Sequence, residues 1–263
     1  MLTVPKFVKR KGGDSPLVVL TAYDAPTARA AEAAKVDAIL VGDSVANVVL
    51  GYEDTLRVTV DDMIHHTAAA DRGRRETLLI ADMPWMSYHL SAEQAAANAA
   101  RLVREGHADA VKLEGGAKRL DAIRAIVDCE IPVMGHLGLT PQSVLAMGGY
   151  RVQGREAEAA QQIIDDAKAL QQAGVFSLVI EGVPAPLAKR VTEALSIPTI
   201  GIGAGLDCDG QVLVYHDLLG LIPDASPKFV RQYADLFAES VSAIERWAED
   251  VRQKRFPAAE ECY

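Results

Sequence analysis

Lys112 and Glu114 stand two residues apart at the end of a short apolar run, Ala108 to Gly116 (ADAVKLEGG). A run of that kind, closed by Gly-Gly, reads as a buried β-strand. Side chains alternate across a strand, so Lys112 and Glu114 share one face, opposite Val111 and Leu113. Two charges there are costly unless they pair, bind a metal or face a wet pocket. Other apolar runs also end in polar groups: Tyr23 and Asp24, Asp43 and Ser44, Asp82, His136, and Glu181. Carboxylates gathered at one place repel unless positive charge sits among them. Lys112 supplies one charge, and a divalent cation would supply the rest. Oxygen donors from Asp43, Asp82 and Glu114, with no His/Cys cluster and no HExxH string, point to Mg²⁺ rather than zinc. Mg²⁺ keeps several waters, so not all three need touch it.

Eight apolar runs would have to position these groups. They are 16–24, 38–44, 77–85, 108–116, 131–139, 176–183, 197–205 and 210–216. Helical stretches separate them: 25–35, 61–74, a run from Ser91 to Glu105 opened by a Ser91-Ala-Glu-Gln94 capping box, 119–127, 155–172 and 185–195. A longer piece, 45–60, reads as a functional loop or lid. Thr140-Pro141 opens a short helix, and a long amphipathic helix fills 227–254. Strands alternating with helices over 263 residues indicate a parallel (β/α)₈ TIM barrel, a single domain spanning 1–263 with an N-terminal arm and a C-terminal helix and tail. An open doubly wound sheet would carry a Gly-rich turn after its first strand, where TAYDAP stands instead. In a barrel the strands' C-terminal ends carry the chemistry, and the polar groups fall at those ends.

Each group also has a plainer reading. A strand-end Asp serves equally as the N-cap of the next helix, and Asp24, ahead of Ala25-Pro26, fits a cap better than a ligand. Lys112 and Glu114 could form an internal ion pair, and His136 between apolar neighbours could be a hydrogen-bonded structural histidine. Gly201 to Gly205 (GIGAG) reads as a tight turn rather than an anion cradle. Coincidence over five or more strand ends favours a site.

The formal net charge of −9, without a basic patch, argues against a nucleic-acid surface. Cys129, Cys208 and Cys262 are odd in number and lack CxxC spacing, which fits a reducing compartment. No signal peptide and no run of about 18 apolar residues is evident, so the expectation is a cytoplasmic protein that does not engage a membrane.

The strand-end strings together resemble the ketopantoate hydroxymethyltransferase family. The matching pieces are TAYDAP (21–26), LVGDS (40–44), HTAA (66–69), ADMP (81–84), VKLEGG (111–116) and GHLGLTPQS (135–143). GGYRVQGR (148–155), LAKRVTEALSIPTIGIGAG (187–205) and DGQVLVYHDLLG (209–220) extend it in order over nearly the whole chain. One departure is Gly182, where the family pattern leads one to expect a larger residue; glycine there is expected to loosen the backbone beside Glu181.

The resemblance implies a barrel of the phosphoenolpyruvate/isocitrate-lyase-like type, assembled as a homo-oligomer, often a decamer. It implies transfer of a one-carbon unit from 5,10-methylenetetrahydrofolate to 3-methyl-2-oxobutanoate, giving 2-dehydropantoate through a Mg-stabilised enolate. Carried over by position, Asp43, Asp82 and Glu114 would hold Mg²⁺, and Asp43, Ser44, Asp82 and Lys112 would line the oxoacid. Glu181 would be the base, with His136 and Tyr23 as possible accessory groups. No residue announces itself as a pterin contact. The rival readings are another Mg-dependent 2-oxoacid C–C lyase or mutase on the same barrel, whose Lys-Cys-Gly-His string is missing here, and a non-catalytic oxoacid-binding protein.

Overall fold

Strands predominate at the centre because parallel strands covered on both faces need continuous apolar runs, and this chain has eight of them. The computed structural model describes residues 2–223 and 227–263. In chain order the first half runs α1 (Val4–Val8), β1 (Leu17–Thr21), α2 (Ala25–Ala33), β2 (Ala38–Val41), α3 (Val45–Val48), α4 (Val60–Asp71), β3 (Leu78–Asp82), α5 (Ala92–Arg104), β4 (Ala110–Glu114) and α6 (Leu120–Asp128). Then come β5 (Val133–Gly138), α7 (Val144–Met147), α8 (Ala157–Gln172), β6 (Ser177–Glu181), α9 (Ala185–Ala194), β7 (Thr199–Ile202) and β8 (Gly210–Leu213). All eight strands are parallel to their neighbours and close as β1-β2-β3-β4-β5-β6-β7-β8, with β8 returning to β1.

The chain divides into two compact units, Met1–Val214 and Tyr215–Tyr263. The second contains α10 (Tyr215–Leu218) and α11 (Leu236–Arg252), the latter shorter than the expected 227–254 helix.

Local chemistry sets the helix starts. Asp24 caps α2 through a reciprocal box with Thr27, the structural role read for it from sequence. Thr59 and Asp62 do the same for α4. Ser91 accepts from the Gln94 N–H at α5, the forward half of the expected box. The 45–60 stretch opens with the short α3 and stays irregular from there to the Thr59 cap. No helix separates β7 from β8, so the alternation is incomplete at the last step.

The barrel interior is layered. Leu17, Val19, Ala38, Leu40, Leu78, Ile80, Ala110, Met134, Val179, Ile200 and Val212 form one buried cluster at its N-terminal side. The N-terminal segment, expected as an arm, closes that side. Phe7 of α1 is fully buried, its ring 5.9 Å from that of Phe176 in an edge-on arrangement. Burying one such ring contributes roughly 2–3 kcal/mol.

Candidate active site at the C-terminal mouth of the barrel

The inward rows continue two residues at a time beyond the apolar layer. After Leu78 and Ile80 comes Asp82; after Ala110 come Lys112 and Glu114; after Met134 comes His136; after Val179 comes Glu181. Strand register then sets neighbours side by side, Asp82 beside Lys112 and Glu114 beside His136. Asp43 and Ser44 follow β2 directly. Gly42 makes room for them, since a Cβ there would lie 2.7 Å from Ser44 Oγ.

Asp43, Asp82, Lys112, Glu114 and His136 are each no more than 5% exposed. Lys112 Nζ lies 2.8 Å from Asp82 Oδ1, and Asp82 Oδ2 accepts from the Asp43 N–H at 3.0 Å. His136 stands between two carboxylates, with Nδ1 3.4 Å from Glu114 Oε1 and Nε2 3.1 Å from Glu181 Oε2. Glu181 is the most accessible acid of the group, its side chain 14% exposed. Tyr23 OH pairs with Ser44 Oγ at 2.8 Å. The structure therefore gathers Asp43, Asp82, Lys112, Glu114, His136 and Glu181 at one mouth, with Tyr23 and Ser44 paired beside Asp43, while Asp24 is spent on the α2 cap.

Two residues at the centre of this network escaped the sequence reading, Gln142 and Tyr88. Gln142 Nε2 donates to Asp43 Oδ2 at 2.8 Å, and its backbone N–H donates to Glu114 Oε2 at 3.0 Å. Tyr88 OH donates to Gln142 Oε1 at 2.5 Å. Gln142 lies within the GHLGLTPQS string, but a neutral amide in a loop carries no signal by itself. Burial of an amide with both ends satisfied becomes visible only once the strands are assembled.

Burial pushes the Asp43 carboxyl well up, and the charges of Asp82 and Glu114 push it further. Burial also raises Asp82, against the pull of Lys112. Burial opposes ionisation of Glu114, but contact with His136 outweighs it and holds its pKa low. Burial and Lys112 drive the His136 pKa down; Glu114 and Glu181 overcome both and carry it up to about 9. Asp43 and Asp82, the acids whose ionised forms burial disfavours, are the ones that an added cation would relieve.

The donor set fits a hard cation: Asp43, Asp82 and Glu114 supply buried carboxylate oxygens on neighbouring strand ends, with Lys112 Nζ engaging only Oδ1 of Asp82 among them at 2.8 Å. Among the described residues no three His, Cys, Asp or Glu side chains form a ready-made cation cluster. Gln142, Lys112 and His136 engage the acids instead. Gly182, expected to loosen the backbone beside Glu181, is tied on both sides. Its N–H donates to Ile202 O and its carbonyl accepts from the Gln153 N–H, each at 2.9 Å. Its φ of +56° is a conformation glycine adopts without strain.

Comparison with known proteins gives this geometry a family. The profile described as ketopantoate hydroxymethyltransferase matches residues 1–259. The chain is 56% identical over 262 residues to 3-methyl-2-oxobutanoate hydroxymethyltransferase 2 of Bradyrhizobium diazoefficiens, covering 100% of this chain and 89% of that one. It is 54% identical to 3-methyl-2-oxobutanoate hydroxymethyltransferase of Moorella thermoacetica, covering 100% and 97%. Among solved structures, 2,3-dimethylmalate lyase, a PEP mutase/isocitrate lyase superfamily member, shares the fold with a TM-score of 0.60 at 18% identity, over 98% of this chain and 90% of the other. Phosphonopyruvate hydrolase in complex with oxalate and Mg²⁺ does so with a TM-score of 0.64 at 13% identity, over 99% and 93%. With a profile match over nearly every residue and relatives alike in more than half of their positions, the chain belongs to the ketopantoate hydroxymethyltransferase family and is an enzyme of the transferase class.

Proposed function

We propose that the enzyme transfers a hydroxymethyl group from 5,10-methylenetetrahydrofolate to 3-methyl-2-oxobutanoate, giving 2-dehydropantoate, the first step of the pantothenate branch. The observation that carries this reading is the buried ring of carboxylates around Lys112 at the C-terminal mouth. Asp43, Asp82 and Glu114 would hold Mg²⁺, with waters completing its shell. When bound, Mg²⁺ supplies a Lewis acid and template for the keto and carboxylate oxygens of the oxoacid.

The chain's own groups do the rest. Asp43, Ser44, Asp82 and Lys112 line the oxoacid, and the Lys112 ammonium stands ready where negative charge develops on it. Glu181 removes the proton from C3 of the oxoacid, held in place by its contact with His136. The carbon so deprotonated bonds to the methylene carbon of the folate, water supplies the hydroxyl oxygen as the carbon–nitrogen bonds break, and tetrahydrofolate leaves with the balancing proton. Tyr23 fixes the Ser44 hydroxyl, which serves as a substrate contact. Among the described residues no helix is long and apolar enough to cross a membrane. On this reading the enzyme works in the cytoplasm as a homo-oligomer, with a decamer expected from the family resemblance.

The test is exchange of the C3 proton of 3-methyl-2-oxobutanoate in heavy water with Mg²⁺, followed by a product assay with the folate and a chelator control. Wild-type protein should exchange the proton and Glu181→Gln should not, while oxoacid binding survives. Unchanged exchange in Glu181→Gln removes Glu181 from the base role. Folate-independent cleavage of a dimethylmalate-type substrate would point instead to a lyase.

A further inference from the structure

Gln142 is 5% exposed and uses every polar group of its side chain. Nε2 donates to Asp43 Oδ2 at 2.8 Å and to Met83 O at 3.0 Å, and Oε1 accepts from Tyr88 OH at 2.5 Å. Its backbone N–H reaches Glu114 Oε2 at 3.0 Å, and Tyr88 OH itself accepts from the Glu114 N–H at 3.2 Å. These directions fit only one way round. The phenol accepts from a backbone N–H, so its own hydrogen goes to Gln142 Oε1, and that turns the amide NH₂ toward the Asp43 carboxylate. A flipped amide would set oxygen against carboxylate and leave Tyr88 without an acceptor.

We infer that Gln142, oriented by Tyr88, is a positioning residue that fixes the Asp43 and Glu114 carboxylates relative to each other before a cation enters. The inference rests on the cation reading above. Its physical basis is that two buried carboxylates need donors to sit close together, and a lysine in that place would cancel the charge that attracts a cation. Gln142 donates to one oxygen on each acid and adds no charge of its own. One contact comes from the side chain and the other from the backbone of the same residue, so the span between the two acids is set by a single short turn, Pro141–Ser143. Partners that orient ligating carboxylates in this manner govern metal affinity without touching the metal.

The experiment is a Mn²⁺ titration of wild-type protein, Gln142→Met and Tyr88→Phe, following the free ion by electron paramagnetic resonance, with a thermal melt of each. Gln142→Met keeps length but loses both amide groups; Tyr88→Phe keeps the ring and loses the hydroxyl. We expect Kd for Mn²⁺ to rise about 10–100-fold in Gln142→Met and by a smaller factor in Tyr88→Phe. A merely structural Gln142 would lower the melting temperature and leave the affinity of the folded protein unmoved, which overturns the inference. Should Gln142→Met fail to fold, Tyr88→Phe carries the test: wild-type affinity there overturns the inference, and weakened affinity upholds it. Wild-type protein that binds no Mn²⁺ sinks the cation reading and this inference with it.

Discussion

Burial alone would drive the proton from Lys112, but Asp82, Glu114 and Asp43 outweigh it and raise the pKa of the ammonium. The side chain therefore stays charged within 2.8 Å of Asp82 Oδ1 and 3.3 Å of His136 Nδ1. A fixed cation in a water-poor site stabilises developing negative charge far better than a solvated one. Lys112→Met should slow C3-proton exchange by roughly 10²–10³-fold, the usual loss when one fixed donor is removed. Exchange at the wild-type rate would show that Lys112 serves the fold rather than the reaction. Lys112, Glu114, Asp82 and His136 were legible in the sequence for a shared reason: each breaks an apolar strand pattern at its C-terminal end. Gln142 and Tyr88 were not legible. Neutral polar residues in loops break no pattern, and their hydrogen bonds exist only when loops distant in the chain meet.

The strands were legible because apolar runs are what a closed parallel barrel demands. α1 was missed because five residues with a lysine among them show no helical period, and the burial of Phe7 depends on a cavity that only the finished barrel offers. The N-terminal segment is also held by Asp209, just before β8. Its carboxylate pairs with Lys11 Nζ at 2.9 Å and accepts from the Gly12 and Thr199 N–H groups at 2.9 and 2.8 Å. Burial raises the Asp209 pKa, but Lys11 and these N–H groups outweigh it, so the folded value lies below the ordinary one. A depressed carboxyl pKa contributes stability above the unfolded value, near 4, and that contribution fades as pH falls through the folded value. Asp209→Asn should cost about 2 kcal/mol in urea unfolding at neutral pH, with the deficit shrinking below about pH 4. A deficit of equal size at both pH values would mean that packing, not the carboxylate charge, holds the segment.

At the scale of the whole molecule, the element that bears on assembly is α11. That helix has no buried residue in the single chain. Phe237, Val241, Ile244, Trp247 and Val251, spaced three or four apart, are all exposed and follow one face of the helix. A stripe of that length left in water is unfavourable, and self-association is the prediction it motivates. Every copy of the chain carries the same stripe, so symmetric association of copies would cover it without any other partner. Sedimentation equilibrium of the wild-type protein should then give a multiple of the 28.2 kDa chain mass, ten copies on the family expectation. Ile244→Glu places a charge at the centre of the stripe and should lower that mass, because an unpaired buried charge is costlier than the contact is favourable. A wild-type protein that sediments as one chain would reject self-association. An assembled Ile244→Glu protein of unchanged mass would move the interface away from α11.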